Sequence, residues 1–197
     1  GDVLGFAVNS SNALYAVDNK AEIWVSTDNG TSWSVVNSDY GGSNSNSGAD
    51  DMVSDANNFL YILKKQEVYR STNAGAGWTK INDDFNGGTD SNDGIEIING
   101  NNSLFIVDGS EDVYKSTDNG TAWFLTTTDI NGANGNVAGM ASNNESIYAV
   151  DAVSDLWNMS DFYINWASVS SSCYSKSNEG GKSCRLDALY FNVSYAS

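Results

Sequence analysis

The 197-residue chain has no proline, no histidine and only two cysteines. The missing histidine removes the side chain that most often acts as a base or zinc ligand near neutral pH. No Cys-x-x-Cys spacing replaces it, so zinc and dithiol redox sites are disfavoured. Basic residues are also scarce, with nine Lys and Arg against 25 Asp and Glu and a formal charge of −16. Such a chain is repelled by nucleic acid and anionic membranes, and neither is an expected partner. Apolar runs are no longer than a strand, so membrane insertion is not expected, and no stretch carries helical periodicity. Gly1 stands in place of an initiator Met. A processed precursor or a trimmed chain is therefore expected.

What the chain does contain is a repeat. Ser26 to Trp33 reads Ser-Thr-Asp-Asn-Gly-Thr-Ser-Trp, Ser116 to Trp123 repeats it with Ala122 in place of Ser, and Ser71 to Trp78 is a worn copy. Trp33, Trp78 and Trp123 are 45 residues apart, and Trp166 follows after 43 more. Flanking runs repeat in step: Tyr15, Tyr61, Phe105 and Tyr148 hold one position, and Trp24, Tyr69, Tyr114 and Trp157 another. Short runs of β-branched and aromatic residues punctuated by Asn, Asp and Gly read as strands and turns. Each unit reads as four strands, in the first roughly 4–8, 14–17, 22–26 and 32–36, with the repeated octet as the turn between the third and fourth.

Four-stranded units of about 40–50 residues predict an all-β chain, a β-propeller of about four blades. The expected blades are 1–40, 41–85, 86–130 and 131–170, followed by a disulfide loop and C-terminal strand over 171–197. If the blades do not close on themselves, the ring is incomplete or part of a larger one, and a partner chain or further sequence must cover its open ends.

The octet resembles the Asp-box, the bacterial neuraminidase repeat of sialidase-type propellers. The likeness rests on Ser26, Asp28, Gly30 and Trp33, on Ser116, Asp118, Gly120 and Trp123, on Ser71, Asn73, Gly75 and Trp78 with Asn in place of Asp, and in the fourth unit on Asp161 and Trp166. It implies a structural turn, with Asp accepting backbone amides, Gly at positive φ and Trp packed between sheets. It also implies that the turn lies on the face away from any catalytic centre. Sialidase chemistry would need three arginines to clamp a sugar carboxylate. This chain has Arg70 and Arg185 alone, and Arg70 falls beside an Asp-box turn, so that activity is disfavoured.

Cys173 and Cys184 lie in a Ser/Gly/Asn-rich stretch and are expected to form a local disulfide, which together with the composition points to an extracellular, secreted or cell-surface setting. Seven Asn-x-Ser/Thr sequons begin at Asn9, Asn29, Asn101, Asn119, Asn144, Asn158 and Asn192. They are candidate N-glycosylation sites, although an Asn- and Ser-rich chain yields several by chance.

The aromatics equivalent across units read as packing between blades, which leaves loop aromatics, Tyr40 and Phe85 among them, as the better ligand candidates. Asp39, Asp84 and Asp129 recur 45 residues apart in the long connections between units. In a propeller these connections share a face with the turns holding Asp108 and Asp112, which predicts one strongly negative face. Such loops are candidate ligand or Ca²⁺ sites, against the plainer reading of Asx-turns that cap loop amides. The run from Asp84 to Asp93 does not have EF-hand spacing.

The function expected from the residues is non-catalytic: an extracellular carbohydrate-binding module for a neutral glycan, or a structural glycoprotein that self-associates or joins other extracellular proteins. The alternative is a glycoside hydrolase of sialidase-like propeller fold using a carboxylate pair, with Asp84, Asp93 and Asp108 as candidates and no motif to single them out.

Overall fold

The computed structural model describes residues 1–42, 48–88, 92–128, 130, 137–143, 146–152, 155–160 and 167–170. These include Asp39, Asp84 and the first three octets. Asp129, Asn144, Asp161, Trp166, Cys173, Cys184, Arg185 and Asn192 lie outside the described residues, as does the proposed disulfide loop and C-terminal strand.

The structure is a β-propeller of four blades, each a four-stranded antiparallel sheet with its strands in chain order. Blade 1 comprises β1 (Val3–Val8), β2 (Leu14–Asp18), β3 (Ile23–Ser26) and β4 (Ser34–Asn37). Blade 2 comprises β5 (Asp51–Ser54), β6 (Leu60–Lys64), β7 (Glu67–Ser71) and β8 (Thr79–Asn82). Blade 3 comprises β9 (Gly94–Gly100), β10 (Ser103–Asp108), β11 (Val113–Ser116) and β12 (Phe124–Thr127). Blade 4 comprises β13 (Val137–Ser142), β14 (Ser146–Asp151), β15 (Leu156–Ser160) and β16 (Ala167–Ser170). No helix occurs among the described residues. The fourth strand of blade 1 starts at Ser34, two residues later than the sequence reading, because the Ser32 N–H is held by the Asp28 carboxylate instead of a ladder partner.

Each second strand is apolar on both faces, as a strand buried between neighbouring sheets must be. In β6, Leu60 and Ile62 pack toward blade 1 with Tyr15, Val17 and Ile23, whereas Tyr61 and Leu63 pack toward blade 3 with Ile97, Leu104 and Ile106. β10 divides in the same way, with Phe105 and Val107 facing Met140 and Ile147 of blade 4. The side chains of β6 and β10 thus alternate between two separate cores, and blades 2 and 3 each stabilise both their neighbours.

The innermost strands meet in succession, β1 against β5, β5 against β9 and β9 against β13. No comparable contact joins β13 to β1. The leading face of blade 1, equivalent to the faces that blades 2 and 3 bury, is open, with Phe6 49% and Trp33 37% exposed.

The junctions are plugged by the connections between blades. Tyr40 leaves blade 1 and seats its ring 5.3 Å from that of Tyr69 and 5.9 Å from that of Trp78. Phe85 repeats this against Tyr114 (5.1 Å) and Trp123 (6.3 Å), and Ile130 joins the core between blades 3 and 4. This corrects the expectation that Tyr40 and Phe85 face a ligand: they are 4% and 3% exposed. Each wedge-shaped gap between twisted sheets needs a bulky apolar filler, and the connection is the segment that passes it.

Candidate functional site

The two faces of the propeller are built by different turns. On one, the main-chain N–H groups of Tyr40, Phe85 and Ile130 donate to the carbonyls of Ala21, Gln66 and Glu111, tying each connection to the turn between the second and third strands of its own blade. Asp39, Asp84 and Asp108 lie on this face; Asp39 and Asp108 accept the protein's own amides, whereas Asp84 Oδ1 is buried and accepts no hydrogen bond. Asp39 Oδ1 accepts from the Gly41 and Gly42 amides at 3.1 and 3.0 Å. Asp108 Oδ1 accepts from Ser110 and Asp112, as Asp18 Oδ1 does from Lys20 and Glu22. Asp18 and Asp151 also accept the indole N–H of Trp24 and Trp157 at 3.3 and 3.0 Å. Asp39, Asp108 and Asp18 thus form Asx-turns. Among the described residues no group of three or more acidic side chains converges as a cation site.

The other face carries the octet turns. Ser26 Oγ accepts the Gly30 amide at 2.9 Å and donates to Asp28 Oδ1 at 2.7 Å, while Asp28 accepts the Ser32 amide at 2.9 Å. Ser116 and Asp118 repeat these bonds with Gly120 and Ala122, and Ser71 repeats them with Gly75 through Asn73, whose amide oxygen takes the place of the carboxylate. Hydrogen bonds from the Ser32 hydroxyl and amide hold Asp28 well below the usual carboxylate range, at about 2. Gly30, Gly75 and Gly120 all have φ near +80°, where a side chain would be strained. Each tryptophan donates its indole N–H back to that glycine's carbonyl, at 3.2, 2.9 and 3.0 Å for Trp33, Trp78 and Trp123. Asn29 and Asn119 are exposed at the turn tips. Arg70 donates to the Asn119 carbonyl at 3.2 Å, and so lies on this face.

A cleft opens on the octet face between blades 2 and 3. It has a volume of about 210 Å³ and is lined by Asp55, Asn57, Asn99, Asn102, Ser103 and Asn119, over the wall formed by Tyr61 and Leu104. Asp55 receives the Tyr61 hydroxyl at 3.0 Å and the Phe59 amide at 2.9 Å, so its charge is already matched. The remaining lining is amide and hydroxyl, able both to donate and to accept. Ligand pockets typically measure about 300–1,000 Å³, so this one suits a single residue or sugar ring. It was not legible in the sequence, because its walls come from turns between first and second strands that carry no common motif.

Two further acids line the innermost strands. Asp51 accepts the amides of Met52 and, across the junction, Ile97 at 3.0 Å, and Glu96 accepts that of Met140 at 2.6 Å. Burial raises Asp51 to about 6, and burial with the nearby Asp51 charge raises Glu96 to about 7. The sequence reading missed both; the signal was their shared position, since Asp51 pairs with Leu63 as Glu96 pairs with Val107.

No family model matches the chain, and no curated protein sequence matches it. Solved structures do resemble it. YCF48 from Cyanidioschyzon merolae superposes with a TM-score of 0.64 at 13% identity, over 84% of this chain and 55% of that one. A virginiamycin B lyase from Staphylococcus aureus, solved with quinupristin, gives 0.61 at 17% identity over 79% and 50%. A nidogen/laminin complex gives 0.60 at 13% over 80% and 60%. The chain therefore spans about half the length of these structures. At such identities the likeness bears on architecture, and its conclusion is that this chain has the β-propeller fold.

Proposed function

We propose that the chain is a non-catalytic binding or assembly module whose ligand is a neutral, hydrogen-bonding segment, received at the cleft between blades 2 and 3. The observation that carries this reading is how the acids are used. Asp18, Asp28, Asp39, Asp55, Asp108 and Asp118 all accept the protein's own amides, while the cleft is lined by neutral Asn and Ser groups, of which the Asn57 and Ser103 side chains donate only long bonds, at 3.5 and 3.4 Å. Among structures of this architecture, one is YCF48 bound to D1 peptide and another is a nidogen/laminin complex, which supports a protein partner. A neutral glycan would use the same donors and acceptors. An extracellular setting, glycosylation at the exposed Asn29 and Asn119, and the Asp-box assignment of the octets belong to this reading. Glycosylation, and with it the extracellular setting, is checked by a mass shift after enzymatic deglycosylation of the natural protein.

The test is a parallel screen of a peptide library and a neutral-glycan array with the wild-type chain and an Asn57→Ala/Asn102→Ala variant. Saturable binding weakened at least about tenfold in the variant supports the reading, since each lost hydrogen bond contributes about 0.5–1.5 kcal/mol. Binding unchanged in the variant places the site elsewhere, and silence on both libraries counts against the module. One observation favours hydrolysis as a second reading: burial raises the pKa of two carboxyls on adjacent innermost strands, Asp51 and Glu96, and the Asp51 charge adds to the rise at Glu96. Turnover of neutral aryl glycosides abolished by Glu96→Gln would establish it.

A further inference from the structure

The three internal junctions follow one rule, and the two ends of the array hold the halves of a fourth. At each junction the trailing blade presents Gly5, Asp51 or Glu96, at equivalent register opposite Val17, Leu63 and Val107, to the main-chain N–H of Met52, Ile97 or Met140 in the next blade. Asp51 and Glu96 reach that N–H with a carboxylate. Gly5 achieves the contact by close approach, since an added Cβ would lie 2.6 Å from the Met52 nitrogen. In blade 4 this register position, opposite Val150, is again a glycine, Gly139. A Cβ there would have no atom closer than 4.0 Å. The matching leading position in blade 1 is Phe6, opposite Ala16 as Met52 is opposite Ile62.

The side chains around these two positions fit the same rule. The leading faces of blades 2 and 3 bury Met52, Leu60 and Tyr69, and Ile97, Leu104 and Tyr114. Their counterparts in blade 1, Phe6, Leu14 and Trp24, are exposed or half-buried beside an apolar hollow of about 360 Å³ that Trp33 also lines. The trailing faces of blades 1 to 3 bury Val17 and Ile23, Leu63 and Val68, and Val107 and Val113. Blade 4 leaves Val150 and Leu156 half-buried, with Ala141 exposed.

We propose that a second copy of this chain occupies the leading face of blade 1, its blade 4 docking there, so that two copies close one eight-bladed ring through two identical junctions. Two observations choose this occupant. The junction continues an interface already made three times in each copy. Eight blades lie within the range of natural propellers, about four to eight, and a two-fold ring is closed, leaving no apolar face to polymerise. Because each copy carries a formal charge of −16, the dimer forms against repulsion and tightens as salt rises.

Sedimentation velocity and native mass spectrometry on the full chain test this. The expected result is a concentration-dependent species of twice the 21.0 kDa chain mass, favoured by salt. Phe6→Asp and Gly139→Trp each alter one half of the junction at positions open in the monomer, and each should weaken self-association at least about 30-fold, as loss of a central contact does. A mixture of the two variants should still form a 1:1 complex through the one intact junction. Circular dichroism and melting of the isolated variants separate a junction effect from misfolding. Should either variant fail to fold, Phe6→Ser and Gly139→Leu repeat the measurement. A monomer at all concentrations, open-ended polymers, or a dimer indifferent to both substitutions overturns the proposal.

Discussion

At the residue scale, the octet turns are held by a buried serine as well as by the aspartate that dominates their appearance. Ser116 is buried and accepts the Gly120 amide at 2.9 Å while donating to Asp118 at 2.9 Å. Ser116→Ala would leave that amide buried without a partner, and a loss of about 1–3 kcal/mol in urea unfolding is expected. Tyr40 predicts the opposite behaviour. Its ring fills the first junction, but its hydroxyl is buried with no partner, and burial together with the neighbouring Tyr69 pushes its pKa well above the ordinary tyrosine value. Tyr40→Phe should leave the melting temperature unchanged or raise it, because it removes only the desolvated group.

The octets were legible in the sequence because a local turn repeats both its spacing and its chemistry. Tyr40 and Phe85 were misread for a physical reason. A lone aromatic among Asp, Asn and Gly looks solvent-facing, and only the wedge between two sheets, made from residues far away in the chain, shows that it is buried. The polar cleft was invisible on the same grounds, since its walls belong to two blades and no repeat unit contains it.

At the element scale, the strands behave according to which neighbour they face. Phe85→Ala would leave a cavity between blades 2 and 3, with an expected cost of about 3–5 kcal/mol measured by chemical unfolding. Gly5 and Gly139 hold the same register but differ in surroundings. Gly5→Ala drives a methyl into the Met52 backbone and should destabilise the chain by about 1–3 kcal/mol, whereas Gly139→Ala should leave the stability of the isolated chain unchanged. Unfolding below the concentration at which copies associate checks both. The four-stranded unit was readable from alternation and turn residues alone. Which blade lacked a neighbour was not, because Trp33 belongs to the same octet as Trp123 and differs from it only in what stands opposite.

At the scale of the whole molecule, two sets of acids oppose each other in pH. Asp51 and Glu96 have folded values of about 6 and 7, above the roughly 4 expected unfolded, so their contribution is complete at low pH and is lost as pH rises through 6 to 7. Asp28, held at about 2, and Asp118 have depressed values; burial would raise Asp118, but bonds from the Ala122 amide and the Ser116 hydroxyl outweigh it. Their contribution is present above about pH 4 and is lost as pH falls toward 2. The melting temperature should therefore peak near about pH 4 to 5 and decline toward pH 8, and Glu96→Gln should flatten the decline. Differential scanning at low protein concentration checks this, the sequence pI being about 4.1. A melting temperature that climbs steadily from pH 5 to pH 8 would contradict it.

The plugs have a consequence for how such a chain can grow. Tyr40 and Phe85 are each anchored by a main-chain bond to a turn in the blade they leave, yet their rings lie under the blade that follows. A 45-residue segment cut from one plug to the next therefore carries one complete wedge and one complete seat. In-frame duplication of residues 41–85 would add a unit that fits its neighbours on both sides, so the number of blades can change by gene duplication without any new contact having to be invented.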